Sequence, residues 1–120
     1  MTNVLAVDDS KTIREMVQFT LEHAGHKVTL AEDGEHATNL LGGSPYDLII
    51  TDVNMPRMNG LELVKHVRSN AVHRGTPILV LTTESADDLK QQAKQAGATG
   101  WIVKPFVPEK LLKVIAKVCP

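Results

Sequence analysis

Residues 3–13 read NVLAVDDSKTI. Val4, Leu5, Ala6 and Val7 form an unbroken apolar run that stops at two adjacent acids, Asp8 and Asp9. A run of this kind is the pattern of a strand buried on both faces, as in a parallel sheet. Directly after it, Ile13, Met16, Val17, Thr20, Leu21 and Ala24 recur at helical spacing, and Gly25 follows as a C-terminal cap. The stretch therefore predicts a buried strand, an acidic turn and an amphipathic helix in succession.

The same alternation recurs four more times. Lys27 to Ala31 alternates apolar and polar, which suits a peripheral strand, and Asp33 to Leu41 reads as a short helix with Ala37, Leu40 and Leu41 inward. Gly42, Gly43 and Pro45 break that helix, and Leu48, Ile49 and Ile50 start a second fully apolar strand. After the turn-rich NMPRMNG, residues 54–60, Leu61, Val64 and Val67 mark a third helix. Pro77 opens the strand Ile78 to Leu81. Ala86 to Ala96 reads as a helix with Leu89 as its one large inward residue, and Gly97 caps it. Trp101, Ile102 and Val103 make a fifth strand, stopped by Pro105. Pro108, Leu111, Leu112, Ile115, Ala116 and Cys119 mark a last helix. Five strands alternating with five helices predict an α/β fold, a parallel sheet covered on both faces.

The chain has 120 residues and a formal net charge of -1, with acids and bases interspersed. That length suits one domain, expected over 1–120 with no output domain attached. The charge balance argues against nucleic acid as a partner. The lone Cys119 excludes an internal disulfide, and no apolar run reaches the length of a membrane span or a signal peptide. A cytoplasmic monomer without membrane contact is the expectation. His23, His26, His36, His66 and His73 lack metal-ligand spacing and read mostly as surface residues, and the four methionines read as packing.

Ligands of open parallel sheets bind beyond the carboxyl ends of the strands. Four of the apolar strands end in polar groups: Asp8 and Asp9, then Asp52, then Thr82 and Thr83, then Lys104. Glu32 and Asp33 end the peripheral strand and read as a helix cap. Asp8, Asp9 and Asp52 would repel one another in one pocket unless a counter-charge joined them. A hard divalent cation such as Mg²⁺ takes oxygen ligands of this kind and would make the acid pair tolerable. A carboxylate can attack phosphorus to give an aspartyl phosphate, while a metal and a lysine neutralise the phosphoryl oxygens and a threonine hydroxyl donates to one of them.

The motifs VDDS, DVNMPRMNG, LVLTTES and KPF occur in that order, each at a strand end. In this combination, over essentially the whole chain, the sequence resembles the receiver domains of two-component response regulators, especially the single-domain chemotaxis regulators of the CheY type. The resemblance implies a flavodoxin-like, doubly wound sheet of order 2-1-3-4-5. It implies Asp52 as phosphoryl acceptor, with Lys104 and Thr82 contacting the phosphoryl group. It implies Mg²⁺ on Asp9, Asp52 and the backbone carbonyl of Asn54, with Asp8 acting through water. A cis Lys104–Pro105 bond belongs to the same pattern. Thr82 and Trp101 match the family's switch pair, although tryptophan is larger than the usual tyrosine. Thr83 stands where a small residue is common. Asn54 and Glu84 match positions that tune phosphoryl lifetime and look like the fast-decaying chemotaxis type.

By the same resemblance the chain is a regulator rather than an enzyme, assisting its own phosphotransfer and autodephosphorylation. Its donor would be a sensor histidine kinase of the chemotaxis type. Its target would be the flagellar motor switch or another protein, read through the surface of the last two helices and the strand between them. A weakly apolar helix over 86–96 would shift easily. The alternative is a phosphate sink, or a regulator in another kinase pathway without motor binding. A flavin carrier of the same fold is disfavoured, because DDSKTI places acids where the cofactor phosphate would lie. An acid-aspartate phosphatase would carry D-x-D after the first strand, a pattern this chain lacks.

Overall fold

The computed structural model of the chain describes residues 2–42, 45–53, 59–82, 87–104 and 107–119, with the backbone alone at 87–89. The strands are β1 (Asn3–Val7), β2 (Lys27–Ala31), β3 (Leu48–Asp52), β4 (Ile78–Thr82) and β5 (Gly100–Val103). Between and after them run α1 (Lys11–His23), α2 (Gly34–Leu41), α3 (Gly60–Ser69), α4 (Asp87–Ala96) and α5 (Pro108–Val118). All strand pairs are parallel, and the order is β2-β1-β3-β4-β5, as the resemblance implies.

Side chains alternate across a strand, so each apolar run feeds two cores. Leu5, Val7, Ile49, Ile78 and Val80 pack with Ala37, Leu41, Leu63, Val64, Val67, Ala93 and Ala96 under α2, α3 and α4. Val4, Ala6, Leu48, Ile50, Leu79, Leu81 and Ile102 pack with Val17, Leu21, Leu111 and Ile115 under α1 and α5. The peripheral β2 is only partly buried, in keeping with its alternating sequence and edge position.

Local signals set the helix ends. Ser10 accepts from the Ile13 N–H at the start of α1, and Asp33 accepts from the His36 N–H at the start of α2, the cap expected for that acid. Asn59 and Glu62 form a reciprocal capping box at the start of α3. Pro108 opens α5. Gly25 and Gly97 adopt φ of 93° and 111° after α1 and α4, conformations that favour glycine. No helix among the described residues is long and apolar enough to cross a membrane.

Three side chains depart from the sequence reading. Leu63, rather than Leu61, is the fully buried leucine of α3, because it shares the inward face with Val64 and Val67. Met16 is 41% exposed on α1 and so is not core packing. His73 is fully buried: it lies in the α3–β4 connection, where its ring stacks near Tyr46 and its Nε2 accepts from the Tyr46 N–H at 3.2 Å.

Candidate functional site

The candidate site residues meet at the carboxyl edge of the sheet because parallel strands deliver them there in register. Thr51 and Asp52 of β3 lie beside Val7 of β1 and Leu81 of β4, and Thr82 pairs with Val103 of β5. Strand phase then sorts the side chains. Asp52 continues the face of Leu48 and Ile50, and Lys104 continues that of Ile102, so both belong to the α1/α5 side. Thr82 continues the face of Ile78 and Val80, on the α4 side, where Trp101 packs.

The two adjacent acids reach the same pocket but differ in exposure. Asp8 is buried and Asp9 is exposed. Asp8 Oδ1 accepts from the Ser10 N–H at 2.9 Å, and its backbone carbonyl accepts from Arg14 Nη1 at 2.7 Å. The counter-charge in the structure is Lys104, whose Nζ lies 2.8 Å from Asp8 Oδ2 and 3.4 Å from Asp52 Oδ1. Both lysine and carboxylates are about nine-tenths buried, so this triad is screened far less than a surface pair. A lysine from beyond β5 therefore takes part of the role assigned to the cation by the sequence reading.

Asp52 Oδ1 also accepts from the Val53 N–H at 2.8 Å. Burial pushes the Asp52 pKa above its ordinary value, and the neighbouring Asp8 carboxylate pushes the same way. Lys104 and the Val53 N–H oppose that rise without cancelling it. One oxygen from each of Asp8, Asp9 and Asp52 lies within 4.8 Å of the others. An all-carboxylate set of this spacing fits a small hard cation such as Mg²⁺.

Thr82 is fully buried, and its backbone carbonyl accepts from the Lys104 N–H at 2.6 Å. Trp101 is half-buried, and its indole Nε1 is shielded without a hydrogen-bond partner among the described residues. Beside it a cavity of about 270 Å³ is lined by Lys90, Ala93 and Lys94 of α4 and by Gly100. Asn54, Thr83, Glu84 and Pro105, to which the sequence reading assigned a metal carbonyl, a narrowed entrance, lifetime tuning and a cis bond, lie outside the described residues.

Two contributors escaped the sequence reading. Arg14 braces the turn of Asp8, and its place six residues after that acid, in the first turn of α1, is the only signal it gives. Gly60 brings α3 against the end of β3: its N–H donates to the Val53 carbonyl at 2.9 Å, and a Cβ there would overlap the Asp52 carbonyl oxygen. The NG that ends the NMPRMNG loop carries that signal.

The model of the response regulator receiver domain matches residues 4–116. A chemotaxis protein CheY homolog of Campylobacter jejuni is 44% identical over 110 residues, covering 90% of this chain and 85% of the relative. The solved structure of Vibrio cholerae chemotaxis protein CheY4 superimposes with a TM-score of 0.96 at 52% identity, covering 98% of both chains. A receiver domain of a sensor histidine kinase from Pseudomonas aeruginosa, with a magnesium ion coordinated in its active site cleft, aligns with a TM-score of 0.90 at 26% identity over 97% of this chain and 95% of that one. Fold, strand-end chemistry and sequence agree: the chain belongs to the response regulator receiver domain family, as a CheY-like regulator.

Proposed function

We propose that this chain is a phosphorylation-activated binding switch in which Asp52 accepts a phosphoryl group from a histidine kinase of the chemotaxis type. The observation that carries the reading is the Lys104 ammonium held between the buried carboxylates of Asp8 and Asp52. Among the described residues, Asp52 Oδ1 takes the contacts from Val53 and Lys104, which leaves Oδ2 to attack phosphorus. The new O–P bond forms as the P–N bond of a phosphohistidine breaks, and the electron pair leaves with the imidazole nitrogen. Lys104 balances charge on the phosphoryl oxygens, and the Thr82 hydroxyl donates to one of them. Asp9, Asp52 and the Asn54 carbonyl would hold Mg²⁺, with Asp8 acting through water. The bound ion would supply further neutralisation of the transferring group, as the magnesium of the Pseudomonas neighbour suggests.

Drawing Thr82 toward the phosphoryl group changes what Trp101 and α4 rest on, since all three share one side of the sheet. The altered surface of α4, β5 and α5 would bind a protein target. The chemotaxis names of the relatives favour the flagellar motor switch. Asn54 and Glu84 would set the rate at which water removes the phosphoryl group. On this reading the protein acts in the cytoplasm as a monomer and catalyses only its own loading and unloading.

The test is labelling by acetyl phosphate in Mg²⁺, followed by capture of partners on protein held with beryllofluoride. Asp52→Asn should abolish labelling, and beryllofluoride should increase capture of a motor-switch protein. Full labelling of Asp52→Asn overturns the acceptor assignment. Labelling without a gain in capture identifies a phosphate sink instead.

A further inference from the structure

Among its described side chains, helix α4 has little to hold it on the sheet. Its buried side chains among the described residues are Ala93 and Ala96, while Lys90, Gln91, Gln92, Lys94 and Gln95 are exposed. Alanine buries few apolar atoms, so packing at these two positions contributes little. The helix end is held by hydrogen bonds from outside it. Arg68, in the last turn of α3, donates from Nε to the Gly97 carbonyl at 2.9 Å and from Nη2 to Thr99 Oγ1 at 3.4 Å. Its Nη1 faces three carbonyls of the α3–β4 connection: Thr76 at 2.6 Å, Arg74 at 3.1 Å and His73 at 3.2 Å. Thr99 in turn is tied to the start of β4, giving its N–H to the Ile78 carbonyl and accepting the Ile78 N–H.

One guanidinium thus joins the ends of α3 and α4 to the start of β4. Hydrogen bonds from an ionised donor are roughly twice as strong as neutral ones, and a cation suits the carboxyl end of a helix. The fit is close. A Cβ on Gly97 would lie 2.8 Å from Arg68 Cγ, and the φ of 111° at Gly97 independently favours glycine. The opposite end of α4 follows the segment after Thr82, so the clasped end lies at the far edge of the sheet from the carboxylates.

We propose that Arg68 is a positioning residue that pins the carboxyl end of α4. A change at Thr82 then swings the helix about Gly97 rather than loosening it as a whole. This inference rests on the switch reading above. With its distal end fixed, a helix whose described residues adhere weakly converts a small displacement near the site into a defined change beside Trp101. Without the clasp, the same displacement is dissipated among many positions of α4.

Three variants test this: Arg68→Met, which keeps length and removes the donors; Arg68→Lys, which keeps charge; and Gly97→Ala, which pushes the guanidinium away from the other side. In Arg68→Met, amide exchange at Gly97 and Ala98, whose N–H groups close the end of α4 on Ala93 and Lys94 carbonyls, should quicken roughly tenfold or more. Exchange at Leu5 and Ile50 should hold. Labelling of Asp52 by acetyl phosphate should stay within twofold of wild type, while the Trp101 emission change on adding beryllofluoride and Mg²⁺ falls below half. Arg68→Lys should recover part of that change, and Gly97→Ala should repeat the loss with Arg68 intact. Should Arg68→Met fail to fold, Gly97→Ala gives the same readings, with Arg68→Lys as the partial recovery. Exchange that quickens equally throughout the sheet, or a full emission change in Arg68→Met, overturns the proposal. A wild-type chain that labels but gives no emission change overturns the switch reading and the swing with it; exchange confined to Gly97 and Ala98 would then still establish the pin.

Discussion

Gly60→Ala isolates the close approach between α3 and the end of β3. By intrinsic preference alone, alanine in place of glycine within a helix should stabilise by roughly 0.5–1 kcal/mol. The structure reverses that sign. The added Cβ would overlap the Asp52 carbonyl oxygen and lie 2.9 Å from both the Asp52 carbonyl carbon and Val53 Cα. These are backbone atoms at the end of a fully buried strand, so no side chain can turn aside. Overpacking of this kind costs about 1–3 kcal/mol and more where backbone must move. Separation also weakens the Gly60 N–H bond to Val53, worth about 1 kcal/mol. A total of about 2–4 kcal/mol is expected, against a domain stability of about 5–15 kcal/mol. For a chain of this length it corresponds to a fall in Tm of about 8–16 °C. Because the carbonyl that must yield belongs to Asp52, the proposed acceptor, labelling by acetyl phosphate should also slow by about 10²-fold at a temperature where the variant is folded. Circular dichroism melting and a time course of labelling measure the two effects. A Tm at or above wild type, with labelling within threefold, would refute the argument.

In metal-free buffer, Asp52→Asn should raise Tm at pH 7, because burial makes the ionised Asp52 unfavourable. The sign follows from the raised pKa: the folded chain holds the proton more tightly, so wild-type stability falls as pH rises from 3.8 through the raised value. The gain over wild type should therefore vanish near pH 3.8 and below, and melting across pH checks it. Lys104→Met leaves two buried carboxylates facing each other; it should cost about 3 kcal/mol at pH 7, and Mg²⁺ should restore more Tm there than in wild type, as calorimetry would register. Burial holds the His73 pKa below 6.5, so that group favours folding above 6.5 and loses stability as pH falls below it. Comparing Tm at pH 7.5 and 5.5 should show a smaller drop in His73→Gln than in wild type.

Periodicity exposed the architecture because its strands are short, apolar and buried on both faces. The alternation at Lys27–Ala31 even marked the edge position of β2. The acids, threonine and lysine were legible for a related reason: strand ends in a parallel sheet are the one place where sequence position translates directly into spatial neighbourhood. What escaped was long-range and geometric. Nothing near His73 in the sequence marks it as buried, since its partner Tyr46 is 27 residues away. Arg68 reads as an ordinary helix-surface cation until the chain turns at Gly97, 29 positions on, come back to it. The lysine that answers Asp8 comes from 96 positions along, so a metal was the nearer inference for a pair of adjacent acids. Gly60 shows its reason only when the strand it touches is in place.

That span from Asp8 to Lys104 has a consequence for synthesis. Asp8, Asp9 and Asp52 all leave the ribosome well before Lys104 does, and the pocket's ammonium comes from the segment after β5. An emerging chain therefore has its acids ready and their answering cation missing. Only when β5 docks against β4 is the charge set complete, with Lys104 between Asp8 and Asp52. A copy that lacks its last strand would hold clustered acids without their ammonium, so on the switch reading it would take no phosphoryl group, and closing this edge of the sheet also completes the site.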